Sequence, residues 1–352
     1  MAPPTWRPCL RTGSCPPAHQ RPALVRRPRC LPEGQRGPVP PRRPWSGRRG
    51  LAASVAWVGA STLPWRRGPG GVSRMAGTYV DVHCHLAHEA YGGVGGQDEA
   101  VERARSAGLG RIVVNGIDPQ SNREVLKLCA RHTDLLRPAL GIFPLVASAS
   151  DIDRTEFKER CGGLEPPAAF DVAAELAFID AEAAAGRLSA VGEAGLDGFY
   201  GYSKHLLAVQ EEVFRELCRI ARRRCLPIIV HSRAAEERTF EVLQDEGVEL
   251  ADFHCFMGKK KLGLRIAAAG YCLSIPAVVT RHNSLQSLSR ALPHECLLTE
   301  TDSPYLAPQK GAWPNEPSSV PAAVRAIAEA RGEHSALVSA QILENYAALF
   351  GE

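Results

Sequence analysis

YVDVHCHL, residues 79–86, reads as a buried β-strand that carries two histidines, His83 and His85, two positions apart. Side chains at i and i+2 of a strand point to the same side, so both imidazoles project into whatever that side encloses. If that is an apolar core, each ring needs a hydrogen-bonding partner there. If it is a cavity, the pair has the placement of metal ligands. The strand alone leaves both readings open.

Working outward, short apolar runs alternate with longer stretches of helical periodicity. After YVDVHCHL come RIVVNGI (111–117), RPALGIFP (137–144), LSAVGEAGLD (188–197), LPIIVHS (226–232), LADFHCF (250–256), GYCLSIP (270–276) and CLLTETDSP (296–304), eight expected strands in all. Segments such as 97–108, 205–224 and 238–247 place apolar residues every three or four positions, and glycine closes several of them. Near-continuous apolar strands separated by helices imply a parallel sheet covered by helices. Eight such units fit an α/β fold of the (β/α)8 TIM-barrel type, with helices at 319–330 and 335–350 to close it. No second domain is expected within 75–352.

The first 74 residues differ in kind. They hold 14 arginines, no lysine, one acid and 14 of the 27 prolines, which leaves 28 basic against 37 acidic residues from Met75 onward, a net charge of −9. The overall +4 therefore averages a basic tail with an acidic body. The tail has no hydrophobic period and its prolines forbid a long helix, so 1–74 is expected to be a disordered extension. It contains four Arg-Arg pairs, and one precedes LAASVAWVGA (51–60), a segment too short to span a bilayer. A targeting segment and sequence upstream of a true start at Met75 both remain open. Eight of the eleven cysteines lie in the body without a CxxC pair, which suits buried thiols and a cytoplasmic address. No membrane association and no protein partner is implied.

Position turns the histidine pair into a sharper expectation. Reacting groups of such barrels lie at the carboxyl ends of the strands. His83 and His85 (first strand), Glu193 (fourth), His231 (fifth), His254 (sixth) and Asp302 (eighth) all fall there. Six polar groups converging on one buried end need a shared partner, and two divalent ions satisfy that need, with Glu193 as the bridge. One site would use His83, His85, Glu193 and Asp302, and the other Glu193, His231 and His254. Nitrogen and oxygen donors without thiolate suit Zn or Mn, and Mg less well. Asp302 is the candidate general base, with Glu193 the other catalytic candidate. Glu300 is expected to face away from Asp302 or to support a neighbour, and Cys84 and Cys255 are expected to face outward as packing residues.

Taken together, DVHCH (81–85), GEAGLD (192–197), PIIVHSR (227–233), HCFMG (254–258), ETDSPYLAP (300–308) and NEP (315–317) resemble the TatD family of metal-dependent hydrolases, a branch of the amidohydrolase-like barrels. The resemblance covers 79–351. It implies metal ligation by the same six residues and phosphodiester hydrolysis by a deoxyribonuclease. Two positions depart from the family pattern: Phe143 stands where a G-x-H-P histidine is usual, and Met257 where HCF is usually followed by a small polar residue.

An acidic body is a poor general surface for nucleic acid, because phosphate binding draws on Lys and Arg. Lys204, Arg233 and Lys259, Lys260 and Lys261 nevertheless fall in loops of the expected catalytic face, as solvated loop charges or as contacts to a DNA strand end or short oligonucleotide. Two alternatives stand beside the nuclease reading. One is hydrolysis of a small amide, ester or phosphate, and the other a non-enzymatic barrel whose basic tail binds nucleic acid or membrane.

Overall fold

The computed structural model describes residues 78–352. The expected disorder of 1–74 and the start at Met75 lie outside the described residues. Eight parallel strands follow one another in chain order: β1 (Tyr79–Cys84), β2 (Leu109–Asn115), β3 (Leu136–Leu140), β4 (Ala190–Asp197), β5 (Ile228–Arg233), β6 (Ala251–Phe253), β7 (Cys272–Pro276) and β8 (Leu297–Glu300). Each of the eight expected runs overlaps one of them. A parallel bridge between Cys84 and Ser303, and a hydrogen bond from Thr299 Oγ1 to the Val80 carbonyl at 2.9 Å, close β8 onto β1. The expected barrel is thus formed.

Helices α1 (Val94–Ser106), α2 (Pro119–Arg131), α3 (Pro144–Ala147), α4 (Arg154–Arg160), α5 (Val172–Ala184), α6 (Lys204–Arg224), α7 (Glu236–Asp245), α8 (Lys260–Ala268) and α9 (Asn283–Ala291) connect successive strands. Then α10 (Val320–Arg331) and α11 (Ser335–Phe350) complete the outer layer. Several starts are fixed locally. Asp118 and Ser121 cap α2 reciprocally, and Ser203 caps α6 by accepting from the Leu206 N–H. α6 then buries Val213, Phe214 and Leu217 in the core with the strands, and Leu206 with Leu145, Ile152 and Phe157.

The strands are buried on both faces. Every residue of β3 and β4 is buried, as helix-covered parallel strands require. Cys84 and Cys255 are buried in the packing, as expected of them. The inner side is not wholly apolar: Asp81, Asp252, Ser274, Glu300 and Thr301 are fully buried. Asp81 accepts from the Thr301 N–H and from Thr301 Oγ1, at 3.1 and 2.6 Å, which ties the exit of β8 to β1.

Candidate metal centre

The strand ends bring the polar residues together as follows. His83 is in β1 and His85 one residue beyond it, Glu193 is in β4, His231 in β5, His254 directly after β6, Glu300 ends β8 and Asp302 follows two residues later. All seven are buried at the carboxyl end of the barrel.

Glu193 reaches its place through a bulged segment of β4, where the pairing with β5 shifts between Val191 and Ala194. Gly195 makes that path possible. Its φ is +153°, and a Cβ there would stand 1.9 Å from the His231 carbonyl oxygen. Glu193 Oε1 then lies 2.9 Å from His231 Nδ1 and 3.2 Å from His254 Nε2. These three residues can place ligand atoms around one cation, matching the second expected set.

A second group joins His83, His254 and Glu300. The His83 and His254 rings stack with centroids 3.6 Å apart, and Glu300 Oε2 is 4.0 Å from His83 Nδ1 and 3.9 Å from His254 Nδ1. Glu300 therefore turns inward beside His83 and His254, which departs from the first of its two expected placements, facing away, and agrees with the second, support of a neighbour. The alternation argument fails because the strand stops at Glu300: Asp302 has a left-handed backbone, φ +57°, and its N–H donates to the His83 carbonyl at 2.9 Å. His254 belongs to both groups, whereas Glu193, the expected bridge, belongs to one of them. Asp302 and His85 sit at the same end, and Glu193 is close enough to His85 to favour its protonated form against burial.

The donor set fits divalent cations. Both nitrogens of His83, His254 Nδ1, Glu193 Oε2 and Glu300 Oε1 are buried without a hydrogen-bond partner among the described residues. Buried polar atoms left this way cost free energy, and a bound cation removes that cost by taking their lone pairs. Imidazole and carboxylate donors suit Zn or Mn better than Mg. The two groups make a dinuclear centre.

Protonation supports the same view. Burial, then the neighbouring imidazoles, holds His83 well below its usual range, and burial brings His85 and His254 down to about 4, leaving neutral rings with free lone pairs. Burial would raise the Glu193 carboxyl, but hydrogen bonds from His231 and His254 outweigh it and bring it to about 2. His231 is the exception. Burial disfavours its charge, yet carboxylates at both nitrogens, Asp197 Oδ2 at 2.9 Å from Nε2 and Glu193, push it up to about 9. A cation at Nδ1 must displace that proton. Below, Ser274 Oγ lies 2.7 Å from Asp252 Oδ2 and 2.6 Å from Glu300 Oε2. One hydroxyl hydrogen cannot serve two carboxylates, so one carboxyl holds a proton. Burial pushes Asp252 to about 7 and Glu300 well above its usual range.

Asp197 is a functional residue that sequence reading passed over. It bonds His231 Nε2, which leaves Nδ1 facing the centre, and it also accepts from Arg233 Nε at 2.8 Å. Its place in GEAGLD, four residues after Glu193 at the end of β4, was the available signal. Arg233 is mostly buried, over the rings of Phe199 and Tyr200 at 4.7 and 4.5 Å. The other basic candidates are more open. Lys259 and Lys260 line a cavity of about 370 Å³ after β6, with Lys260 Nζ 3.0 Å from Ser287 Oγ. Lys261 is exposed on α8, and Lys204 is exposed beside Glu211 and Arg238. Phe143, one of the two departures, sits edge-on to His231 with ring centroids 4.9 Å apart, giving the centre an apolar wall. Met257 lines the cavity with Lys259.

Known proteins carry the same framework. Residues 80–351 match a family model described as TatD related DNase. The human protein named deoxyribonuclease TATDN3 is 30% identical over 263 residues, 74% of this chain and 90% of that one. An uncharacterized metal-dependent hydrolase of Bacillus subtilis, YabD, is 31% identical over 276 residues, 77% and 98% of the respective chains. In fold, the chain is similar to the crystal structure of YJJV, a TatD homolog from Escherichia coli, with a TM-score of 0.65 and 24% identity over 78% of this chain and 98% of that one. The likeness in sequence runs through every strand end that supplies a side chain to the centre, and this chain belongs to the TatD family of metal-dependent hydrolases.

Proposed function

We propose that this protein is a deoxyribonuclease that cleaves phosphodiester bonds at DNA strand ends or in short oligonucleotides. The observation that carries the reading is the set of buried, unbonded lone pairs on His83, His254, Glu193 and Glu300 at the barrel mouth. The name of the human relative, deoxyribonuclease, supports the choice of substrate. In this reading His85 and Asp302 complete the ligand set of His83, Glu193, His231 and His254, and Glu300 joins it. Divalent ions held there supply Lewis acidity toward a phosphoryl oxygen and lower the pKa of water. Asp302 takes the proton of the attacking water at a carboxylate oxygen. Glu193 holds His231 and His254 in place, and Asp197 keeps His231 turned toward the reacting atoms. Lys204, Arg233, Lys259, Lys260 and Lys261 contact substrate phosphates, with Arg233 acting from its stacked position.

No helix among the described residues is long and apolar enough to cross a membrane. A cytoplasmic location is carried by the cysteine pattern of the sequence, which has no CxxC pair after Met75. Phe143 against His231 favours a second reading, in which the substrate is a small ester, amide or phosphate seated on that ring.

Metal analysis of the purified full chain, followed by cleavage assays of metal-free and reconstituted protein on end-labelled oligonucleotides, tests the proposal. Two equivalents of metal and restored cleavage that weakens steeply with salt are expected. Cleavage of a neutral amide or ester with no salt response, and none of DNA, would overturn the nuclease reading. Asp302→Asn should lower turnover by about a hundredfold or more at unchanged fold. Full turnover would remove its role as base.

A further inference from the structure

After residue 77 the sequence contains a single tryptophan, Trp313. It is 50% exposed, one of three large hydrophobic side chains so exposed among the described residues, and it lies in the loop between β8 and α10 at the carboxyl end of the barrel. It is not isolated. The Tyr305 ring lies 5.5 Å from it at 52°, the His88 ring 6.2 Å away at 86°, and Tyr305 continues inward to His85, 6.1 Å off and edge-on. The rings thus step from open solvent to a histidine of the metal centre.

The step is held rigidly. His88 Nδ1 accepts from the Ala90 N–H at 3.0 Å, so its Nε2 carries the hydrogen and donates to the Tyr305 hydroxyl at 3.2 Å. Two residues after Trp313, buried Asn315 donates to the Thr301 carbonyl at 2.9 Å, and its own carbonyl accepts from the Tyr91 hydroxyl at 2.7 Å. Glu316 then bonds Arg103 of α1 through both carboxylate oxygens, at 2.8 and 2.9 Å. An exposed indole on a loop pinned at so many points loses little freedom when something flat settles on it. Positive charge lies in the same region. Arg281 bonds the Ala307 carbonyl of this loop at 3.1 Å, and Lys310 is exposed in it.

We infer that Trp313, backed by Tyr305 and His88, is a stacking shelf for an unpaired nucleobase beside the scissile phosphodiester. The inference rests on the nucleic-acid reading above and narrows it to single-stranded substrate or frayed ends. A flat ring next to a phosphodiester-cleaving centre selects a base, because every base offers a π-face to an aromatic side chain. Within a duplex both faces of a base are covered by its neighbours, so only an unstacked base can use the shelf.

Full-length, metal-loaded protein is compared with Trp313→Ala and Trp313→Phe on two strands of equal length and charge. One is an ordinary single-stranded oligodeoxynucleotide, and in the other tetrahydrofuran spacers replace the bases around the cut. Trp313→Ala is expected to raise KM for the ordinary strand roughly tenfold at unchanged kcat, with Trp313→Phe recovering most of the loss. KM for the spacer strand is expected to be equal in all three proteins. In parallel, the fluorescence difference between the full chain and Trp313→Phe isolates Trp313 from the four other tryptophans, and the ordinary strand alone is expected to quench it. A wild-type KM in Trp313→Ala, or equal loss on both strands, overturns the shelf. Equal quenching by a blunt duplex overturns its restriction to unpaired bases. Quenching by the ordinary strand with no cleavage of any strand would keep the shelf and sink the nuclease reading instead.

Discussion

At the amino-terminal end of the barrel, Arg111 of β2 and Arg137 of β3 both bond the Glu352 carboxylate, and Arg137 is almost wholly buried, with further bonds to the Thr133 and Leu136 carbonyls. At the carboxyl end, His83, His254, Glu193 and Glu300 are equally buried but keep nitrogens and oxygens that no neighbour satisfies. One end has matched donors with acceptors and gains stability. The other leaves several of its buried nitrogens and oxygens unmatched, and their stabilisation is deferred to a ligand. Buried charge alone does not mark a functional site; what does is charge whose pairing is incomplete.

Four substitutions would break or sharpen this contrast. The largest effect belongs to Glu193→Ala at the carboxyl end. Hydrolysis should fall by about a hundredfold or more as metal is lost, seen together by elemental analysis and rate; full metal content with normal rate would deny Glu193 a place among the ligands. At the opposite end, Arg137→Ala leaves Glu352 with one partner and should cost about 3 kcal/mol of stability, read from denaturant unfolding, without changing metal content. A loss of metal from that variant would mean that the two ends are not independent. Next comes Asp197→Asn, which removes the carboxylate that orients His231. Metal affinity should weaken about 10- to 100-fold by competition with a chelator, and an unchanged affinity would show that Glu193 alone fixes the ring.

The smallest effect is a proton count. His231 has a folded pKa raised above its ordinary 6.5 to about 9, so its contribution to the metal-free fold is complete below about pH 6.5 and lost as pH rises through about 9. His254 and His85, lowered to about 4, act oppositely: their contribution is complete above about pH 6.5 and fades as pH falls toward 4. Metal binding near pH 7.5 should therefore expel the His231 proton, together with the one shared by Glu300, Ser274 and Asp252. Titration calorimetry in buffers of different ionisation enthalpy counts these protons, and His231→Asn should lower the count by about one. An undiminished count would place the proton elsewhere.

Much of the site was legible because a strand's period is short and local. His83 could be assigned to the inner side of β1, and Glu193, His231 and His254 to strand ends, from the apolar runs that precede them. Glu300 was left between two placements for the same reason: the rule of alternation holds only while the strand lasts, and β8 ends at Glu300, with Asp302 taking a left-handed turn. Asp197 was missed because its significance is a distance to His231, a residue 34 positions away. Arg233 was expected in a loop as open charge, yet it ends β5, and two aromatic rings and Asp197 enclose most of it.

The amino-acid sequence by itself determined the eight βα units and the end of the barrel where the histidines and carboxylates collect, since both follow from periodicity along a short stretch. Only the tertiary structure decided which of those side chains share a cation, that His254 stands in both groups, and which buried atoms keep their lone pairs open. Those outcomes depend on a few ångströms between strands that close into a ring, and no local pattern encodes that spacing.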